Sequence, residues 1–358
     1  MPSVTVLMPV YNAEQYVRAA VESILAQSFS DFEFLIINDA SMDKTRAIIS
    51  TYPDKRIRIV DNEKNLGLTS SLNKGLRLAA GELIARQDAD DVSLSDRLAQ
   101  QVDFLRRHQD VALVGTQAWV VDGSGRYKGI IADKCREDGS IRWDLLFDNS
   151  FIHTTVMFRK DIVLDKLGGY DESFAFCQDY DLWSRTALGH RVHNLASRPV
   201  LYRIHSDSMT ERMRELSLIE NRRIIRRNLN EVFGRKEVSD EEVELIIRYR
   251  YGDRFDLDSL DHLFILTKRL RSEYERLFPE VQHSCDFRRT IARQYGKLIY
   301  KVSPIQPRLN MTILSHCPYR FPLLQIAASW LAFTGLALLK NLLPGRKAAN
   351  PSNKQPPR

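Results

Sequence analysis

Residues 4–41, VTVLMPVYNAEQYVRAAVESILAQSFSDFEFLIINDAS, alternate two short apolar runs with one amphipathic stretch. Residues 4–8 read as a strand, 13–27 as a helix with Val17, Ala20, Val21, Ile24 and Leu25 on one face, and 32–37 as a second strand. The alternation continues with a helix over 43–50, a strand over 57–60, a helix over 70–79 and a strand over 83–86. Strands separated by amphipathic helices predict an α/β fold, a mostly parallel sheet covered by helices on both faces. In such an open sheet, ligands bind beyond the carboxyl ends of the strands. Three polar segments fall there: Pro9-Val10-Tyr11-Asn12, Asn38-Asp39-Ala40-Ser41 and Gln87-Asp88-Ala89-Asp90-Asp91.

Outward from this region the pattern changes. After Gly115, Gly-rich turns and an extended run over 152–159 predict a mixed continuation of the first sheet, followed by a helix near 178–188. Residues 210–310 are dense in Arg, Glu, Leu and Ile at helical spacing and predict a helical appendage. Residues 311–343 contain an uncharged run over 321–339, FPLLQIAASWLAFTGLALL, whose 19 residues are borderline for spanning a bilayer. An interfacial helix making peripheral membrane contact through 321–343 and a helix packed on the protein both fit it. The Pro-, Asn- and Lys-rich residues 344–358 are expected to be disordered.

The 358 residues are 44% hydrophobic and 27% charged, which excludes collagen, a disordered chain and a polytopic membrane protein. A chain of this length is expected to split into a large unit and a smaller one. Residues 1–200 hold 24 basic and 28 acidic side chains, whereas 201–358 hold 28 and 18, so the basic excess lies in the second half. An anionic surface or a solvated helical face accounts for that excess; the sequence there lacks an aromatic-basic pattern, so nucleic acid is not expected as a partner. The four cysteines lack metal-ligand or disulfide spacing, and the N-terminus lacks a secretory pattern. A cytoplasmic protein is expected, at the inner face of the cell membrane if the apolar run docks there.

No glycine-rich phosphate loop follows the first strand, so a bound nucleotide diphosphate needs another source of positive charge. Asp88 and Asp90, two apart on an extended chain, would point the same way and suit Mg²⁺ or Mn²⁺, while Asp91 turns aside. Capping of a helix starting near Ser95 is the alternative for one of these acids.

Several motifs in succession resemble the family 2 glycosyltransferases, inverting enzymes of the GT-A fold. They are the opening stretch through Thr45, NLGLTSSLNKGL, RQDADD, and LGGYDE leading into QDYDLWSR. The resemblance implies a GT-A domain over 1–209, with a nucleotide-sugar half over 1–114 and an acceptor half over 115–209. It further implies a nucleotide-sugar donor, UDP-linked for preference, a divalent metal (Mn²⁺ or Mg²⁺), and a glycan or lipid-linked acceptor in cell-surface polysaccharide synthesis. Residue by residue, it puts Asp39 on the uracil ring, Pro9 and Tyr11 beside the nucleoside, Asp88 near the ribose and diphosphate, and Asp90 on the metal. Asp179 becomes the general base that deprotonates the acceptor hydroxyl, and His205 approaches the diphosphate or metal. Arg86 lies beneath the acids, and Arg203 is a candidate for phosphate.

Simpler roles stand beside these. Asp39 is placed to cap the helix near Asp43, Asp179 or Asp181 to cap the helix that follows, and Arg86 to pair with the acids. His153 and His205 could be ordinary hydrogen-bonded histidines. Gln178 stands where the family commonly has Glu, which leaves acceptor binding less defined. Trp183 is a candidate for stacking on a sugar, although its spacing from Tyr180 also fits packing. A catalytically silent scaffold subunit is the non-enzyme alternative, and a nucleotidyltransferase is disfavoured by the missing N-terminal loop.

Overall fold

The computed structural model describes residues 1–131, 134–205, 214–234, 238–251 and 257–302. The chain runs β1 (Val4–Val10), α1 (Val17–Leu25), β2 (Phe32–Asn38), α2 (Thr45–Ile49), β3 (Ile57–Asp61), α3 (Leu68–Leu78), β4 (Leu83–Arg86), β5 (Val92–Ser93), α4 (Arg97–Arg107) and β6 (Val111–Thr116). It continues through β7 (Trp119–Asp122), β8 (Tyr127–Ile130), α5 (Asp138–Asp144), β9 (Met157–Arg159), α6 (Gln178–Gly189), β10 (Arg191–Leu195), β11 (Val200–Ile204) and α7 (Arg214–Phe233).

Among the described residues, seven strands form a sheet in the order β10-β6-β9-β4-β1-β2-β3, in which β9 alone runs against its neighbours. Every residue of the central β1 is buried. Its Val4, Val6, Met8 and Val10 join the apolar stripe of α1 (Val17, Ala20, Val21, Ile24) and Leu98, Val102 and Leu105 of α4 in one core. The alternate Leu7 faces α3, whose Gly75 stands against its side chain. The expected α/β sheet with helices on both faces is the fold observed.

Strand ends extend further than the hydrophobic pattern predicts. Pairing of β1 with β2 continues in register from Val4–Phe32 to Val10–Asn38. Pro9 is tolerated because Gln87 N donates to Leu7 O, so odd residues of β1 address β4, and pairing with β4 ends at Leu7. Helix α1 starts at Val17 rather than 13 because the preceding amides bond to the start of α2 and the loop before it: Ala13 N donates to Thr45 Oγ1 at 2.7 Å and Glu14 N to Asp43 Oδ2 at 3.0 Å.

The expected continuation of the sheet after Gly115 is only partly found. β9 inserts between β4 and β6, but the run over 152–159 is broken by a 3-10 turn, His153–Thr155. The Gly-rich turn instead joins β7 to β8 in a second, four-stranded sheet, ordered β5-β11-β7-β8.

The chain divides into compact units at Val238–Ser239, and α7 belongs to the first. Described helices of the second are α8 (Asp240–Tyr251), α9 (Leu257–Leu277) and α10 (Cys285–Val302), the last two joined by a 3-10 turn, Pro279–His283. This unit buries apolar side chains of its own, including Val243, Ile247, Leu263, Leu270, Tyr274 and Phe287. Among the described residues no helix is long and apolar enough to cross a membrane. The apolar run expected over 311–343 and the tail over 344–358 lie outside the described residues.

Candidate active site

Strand β4 delivers Arg86 and then the acidic segment to the carboxyl edge of the sheet. The Arg86 side chain is 0% exposed; Nη1 donates to Leu7 O at 3.1 Å and to Gln87 O, Nε to His153 Nε2 at 3.1 Å, and Nη2 to the Asp88 carboxylate. A second buried arginine, Arg97 of α4, donates to Arg86 O at 2.6 Å, Ser93 Oγ at 2.9 Å and Gln87 Oε1 at 3.1 Å. Burial and then the neighbouring Arg86 charge bring the Arg97 pKa down to about 9. Burial pushes the Asp88 carboxyl up, but Arg86 and its neighbours outweigh it and hold the group below the usual carboxylate range.

Asp90 feels the reverse balance, raised by burial and by Asp88, with His205 opposing. Asp88 and Asp90 come together through a turn, in which Asp91 N donates to Asp88 O at 3.3 Å, and not through the extended alternation expected. Their side chains are about equally open, 30% and 33% exposed. Asp91 does turn aside: it is buried and accepts from Arg203 N at 2.8 Å. None of this caps α4, because Leu98 N donates to Gln27 Oε1.

The second sheet brings the far residues to this edge. β11 carries Arg203, whose guanidinium donates to Asp90 O at 2.7 Å and Asp122 O at 3.1 Å and lies 4.8 Å over the Tyr16 ring. The next residue but one, His205, places Nε2 3.0 Å from Asp90 Oδ2 and its ring 4.9 Å from that of Tyr16. Among the described residues no three His, Cys, Asp or Glu side chains form a metal cage. Asp90 and His205 form a hydrogen-bonded pair, with the Asp90 side chain 33% exposed.

Asp179 stands in the first turn of α6. Tyr180 N donates to its Oδ1 at 2.7 Å and Asn149 Nδ2 to its Oδ2 at 2.8 Å. Burial, with Asp88 adding, raises its pKa to about 6 despite these donors. Near both Asp88 and Asp179 lies Tyr170, whose hydroxyl is 3.1 Å from His153 Nε2 and whose ionisation is pushed up by burial and by both aspartates. Because the Arg86 guanidinium can only donate, His153 Nε2 must accept. Burial and Arg86 lower that imidazole to about 3, so it is neutral.

Asp39 directly follows β2, two strands from β4 and so roughly 10 Å across the sheet edge. Its Oδ1 accepts from Asn62 Nδ2 at 2.7 Å and Leu66 N at 2.8 Å, and its Oδ2 from Gly67 N at 2.9 Å. It therefore shapes the turn into α3, while Thr45 N at the start of α2 is served by Asp43. Tyr11, 45% exposed, stands beyond the end of β1, whereas Pro9 is buried within it.

Two expectations require correction. Trp183 is fully buried among Phe151, His153, Phe158 and Tyr170, with ring centroids 5.6–6.3 Å away, so it packs the core and offers no face to a sugar. Gln178, a candidate for the acceptor, is 3% exposed and likewise turned inward. Arg86 lies beneath the acids and pairs with Asp88, with no exposed surface for a ligand. Sequence reading passed over Asn149, Tyr16, Tyr170 and Asn62, which owe their roles to chain segments far apart and carry no periodic or spacing signal.

A family model described as glycosyl transferase family 2 matches residues 5–165. The putative glycosyltransferase EpsE of Bacillus subtilis is 36% identical over 213 residues, 58% of this chain and 74% of its own length. The O-antigen biosynthesis glycosyltransferase WbnJ of Escherichia coli is 35% identical over 211 residues, covering 57% and 81%. The amylovoran biosynthesis glycosyltransferase AmsE of Erwinia amylovora is 30% identical, covering 58% and 79%. Among solved structures, S. aureus TarS 1–349 in complex with UDP-GlcNAc has a TM-score of 0.55 over 93% of this chain and 92% of that one, at 15% identity, a likeness of fold. The length and identity shared with these relatives show that the chain belongs to glycosyl transferase family 2.

Proposed function

We propose that the protein transfers a sugar, with inversion, from a nucleotide-diphosphate donor, UDP-linked for preference, to a hydroxyl of a glycan or lipid-linked acceptor in cell-surface polysaccharide synthesis. One observation carries the reading: Asp88 acts electrostatically both on Asp179, whose pKa burial raises to about 6, and on Asp90, the partner of His205. The roles of WbnJ and AmsE in O-antigen and amylovoran biosynthesis support the acceptor class.

Asp179 accepts the proton of the attacking hydroxyl, help worth typically about 10²–10⁴-fold. Asn149 and the Tyr180 amide hold its carboxylate in place for that transfer. Asp39, which holds the Asn62–Gly67 turn through its carboxylate, would meet the uracil ring, with the exposed Tyr11 on the nucleoside. Arg86 keeps Asp88 ionised, and Arg203 fixes the turn bearing Asp90. Asp90 and His205, with Asp88 beside them, would hold Mn²⁺ or Mg²⁺, which when bound supplies positive charge to the leaving diphosphate. The uncharged run over 321–339 would bring the enzyme to a membrane; a chain ending before Phe321 should then leave the membrane fraction, and an unchanged distribution rejects this contact.

The test is release of nucleoside diphosphate from a panel of nucleotide sugars with Mn²⁺, comparing the parent with Asp90→Asn. Turnover of one donor, lost on chelation and in the variant, is expected. If no donor turns over and the variant binds nucleotide as the parent does, the scaffold reading replaces this one.

A further inference from the structure

Helix α7 carries Glu220, Asn221, Arg227 and Asn228 at helical spacing, and all four bond to α6 or the loop before it. Glu220 is 3% exposed. Its Oε1 accepts from Ala175 N at 2.8 Å, and its Oε2 from Phe176 N at 3.0 Å and Cys177 N at 2.6 Å. These are the last amides before α6, a place where backbone donors lack partners within the helix. Along α7, Asn221 Nδ2 donates to Cys177 Sγ at 3.3 Å, Arg227 pairs with Asp181, and Asn228 Nδ2 donates to Ser184 Oγ at 3.0 Å and Leu145 O at 2.7 Å. The first two turns of α6 are therefore gripped from one neighbouring helix. Asp179 lies two residues beyond the last amide that Glu220 holds.

We propose that Glu220 is a positioning residue for the transfer reaction, its carboxylate fixing the start of α6 and thereby the aim and basicity of Asp179. The inference rests on the reading of Asp179 as general base. Two physical arguments support a carboxylate in particular. Both of its oxygens only accept, whereas a glutamine would set its own N–H groups against one of the three amides whichever way it turned. Its charge also offsets the positive end of the α6 dipole, which would otherwise favour ionised Asp179 and weaken it as a base. Two other titratable groups act on Asp179, Asp88 and Tyr170, while Arg86 pairs with Asp88 and Asp181, two residues on, is taken up by Arg185 and Arg227. Glu220 bonds to the backbone that carries the base.

The experiment compares full-length parent, Glu220→Gln, Glu220→Asp and Asp179→Asn with the donor found active, following kcat, donor KM and the acid limb of kcat/KM. Glu220→Gln is expected to lower kcat at least tenfold, leave donor KM within about twofold, and move the acid limb down by about half a pH unit. Glu220→Asp keeps the charge but withdraws it by one methylene, so kcat should fall while the limb stays near the parent's. A folded Gln variant with parental kcat and limb overturns the proposal, and so does a loss of stability with unchanged limb. Should the Gln variant fail to fold, a parental kcat in Glu220→Asp overturns it, and a reduced kcat at parental donor KM supports it. Parental kcat in Asp179→Asn would instead overturn the underlying reading of the base, whatever position 220 does.

Discussion

At the end of β4, Asp88 rests on the fully buried guanidinium of Arg86, with Arg97 packed behind. At the start of α6, Asp179 is held by neutral donors, the side-chain amide of Asn149 and the N–H of Tyr180. Burial acts on both carboxyls in the same direction, yet Asp88 ends below the usual range and Asp179 rises to about 6. The difference is a full positive charge at one site and dipoles at the other. A group kept ionised suits a cation and a diphosphate, and a group poised near neutrality suits proton transfer. One residue type thus serves two roles because its surroundings differ.

Asp179→Asn tests the α6 side of this contrast most severely. Turnover should fall about 10²–10⁴-fold while nucleotide affinity stays near that of the parent. The same substitution should stabilise the fold at neutral pH. Because the folded pKa of Asp179 is about 6 against an ordinary 3.8, the folded chain binds the proton more tightly, and ionising the group costs stability. That cost is absent below about pH 4, grows through the interval up to about 6 and is complete above it, amounting to about 1–3 kcal/mol. Urea unfolding should show the variant gaining at pH 8 and losing its advantage at pH 4. An advantage independent of pH would break the comparison at its α6 end.

The β4 side is broken by Arg86→Met. Removing the cation leaves Asp88 without its charge partner and His153 Nε2 without one donor, and loss of one partner of a buried pair costs about 3–5 kcal/mol. A drop of that size in unfolding free energy is expected, together with weaker nucleotide binding. A loss below about 1 kcal/mol would mean that solvent, not Arg86, keeps Asp88 ionised.

The sheet was legible because its signal is local: β1, β2 and β4 each bury a run of consecutive apolar residues, and α1 presents one apolar face. The resemblance likewise named Asp88, Asp90, Asp179 and His205 from short motifs. What escaped reading was the arrangement between segments. Asn149 reaches Asp179 across 30 residues, Glu220 reaches Cys177 across 43, and Tyr16 meets His205 from the other end of the chain. No periodicity encodes such pairs. Of the two roles open to Trp183, the structure has packing: spacing on a helix gives the face but not what covers it. Strand ends were drawn too short because polar Asn38 still pairs with Val10.

The smallest effect sharpens the contrast. Asn149 favours ionised Asp179 by donating to it, so it acts on the base in the opposite sense to burial. Asn149→Ala should therefore raise the acid limb of kcat/KM by about 0.5–1 pH unit, the reverse of the shift expected for Glu220→Gln, since a hydrogen bond to a charged group is worth roughly 1.5–3 kcal/mol before water replaces part of it. At pH 8, well above both limbs, most Asp179 remains ionised and the loss of turnover should stay near tenfold, reflecting a looser carboxylate and not a missing base. At pH 6 the deficit should widen as protonation adds to misplacement. Equal deficits at the two pH values would show that Asn149 only aims the carboxylate and does not set its basicity.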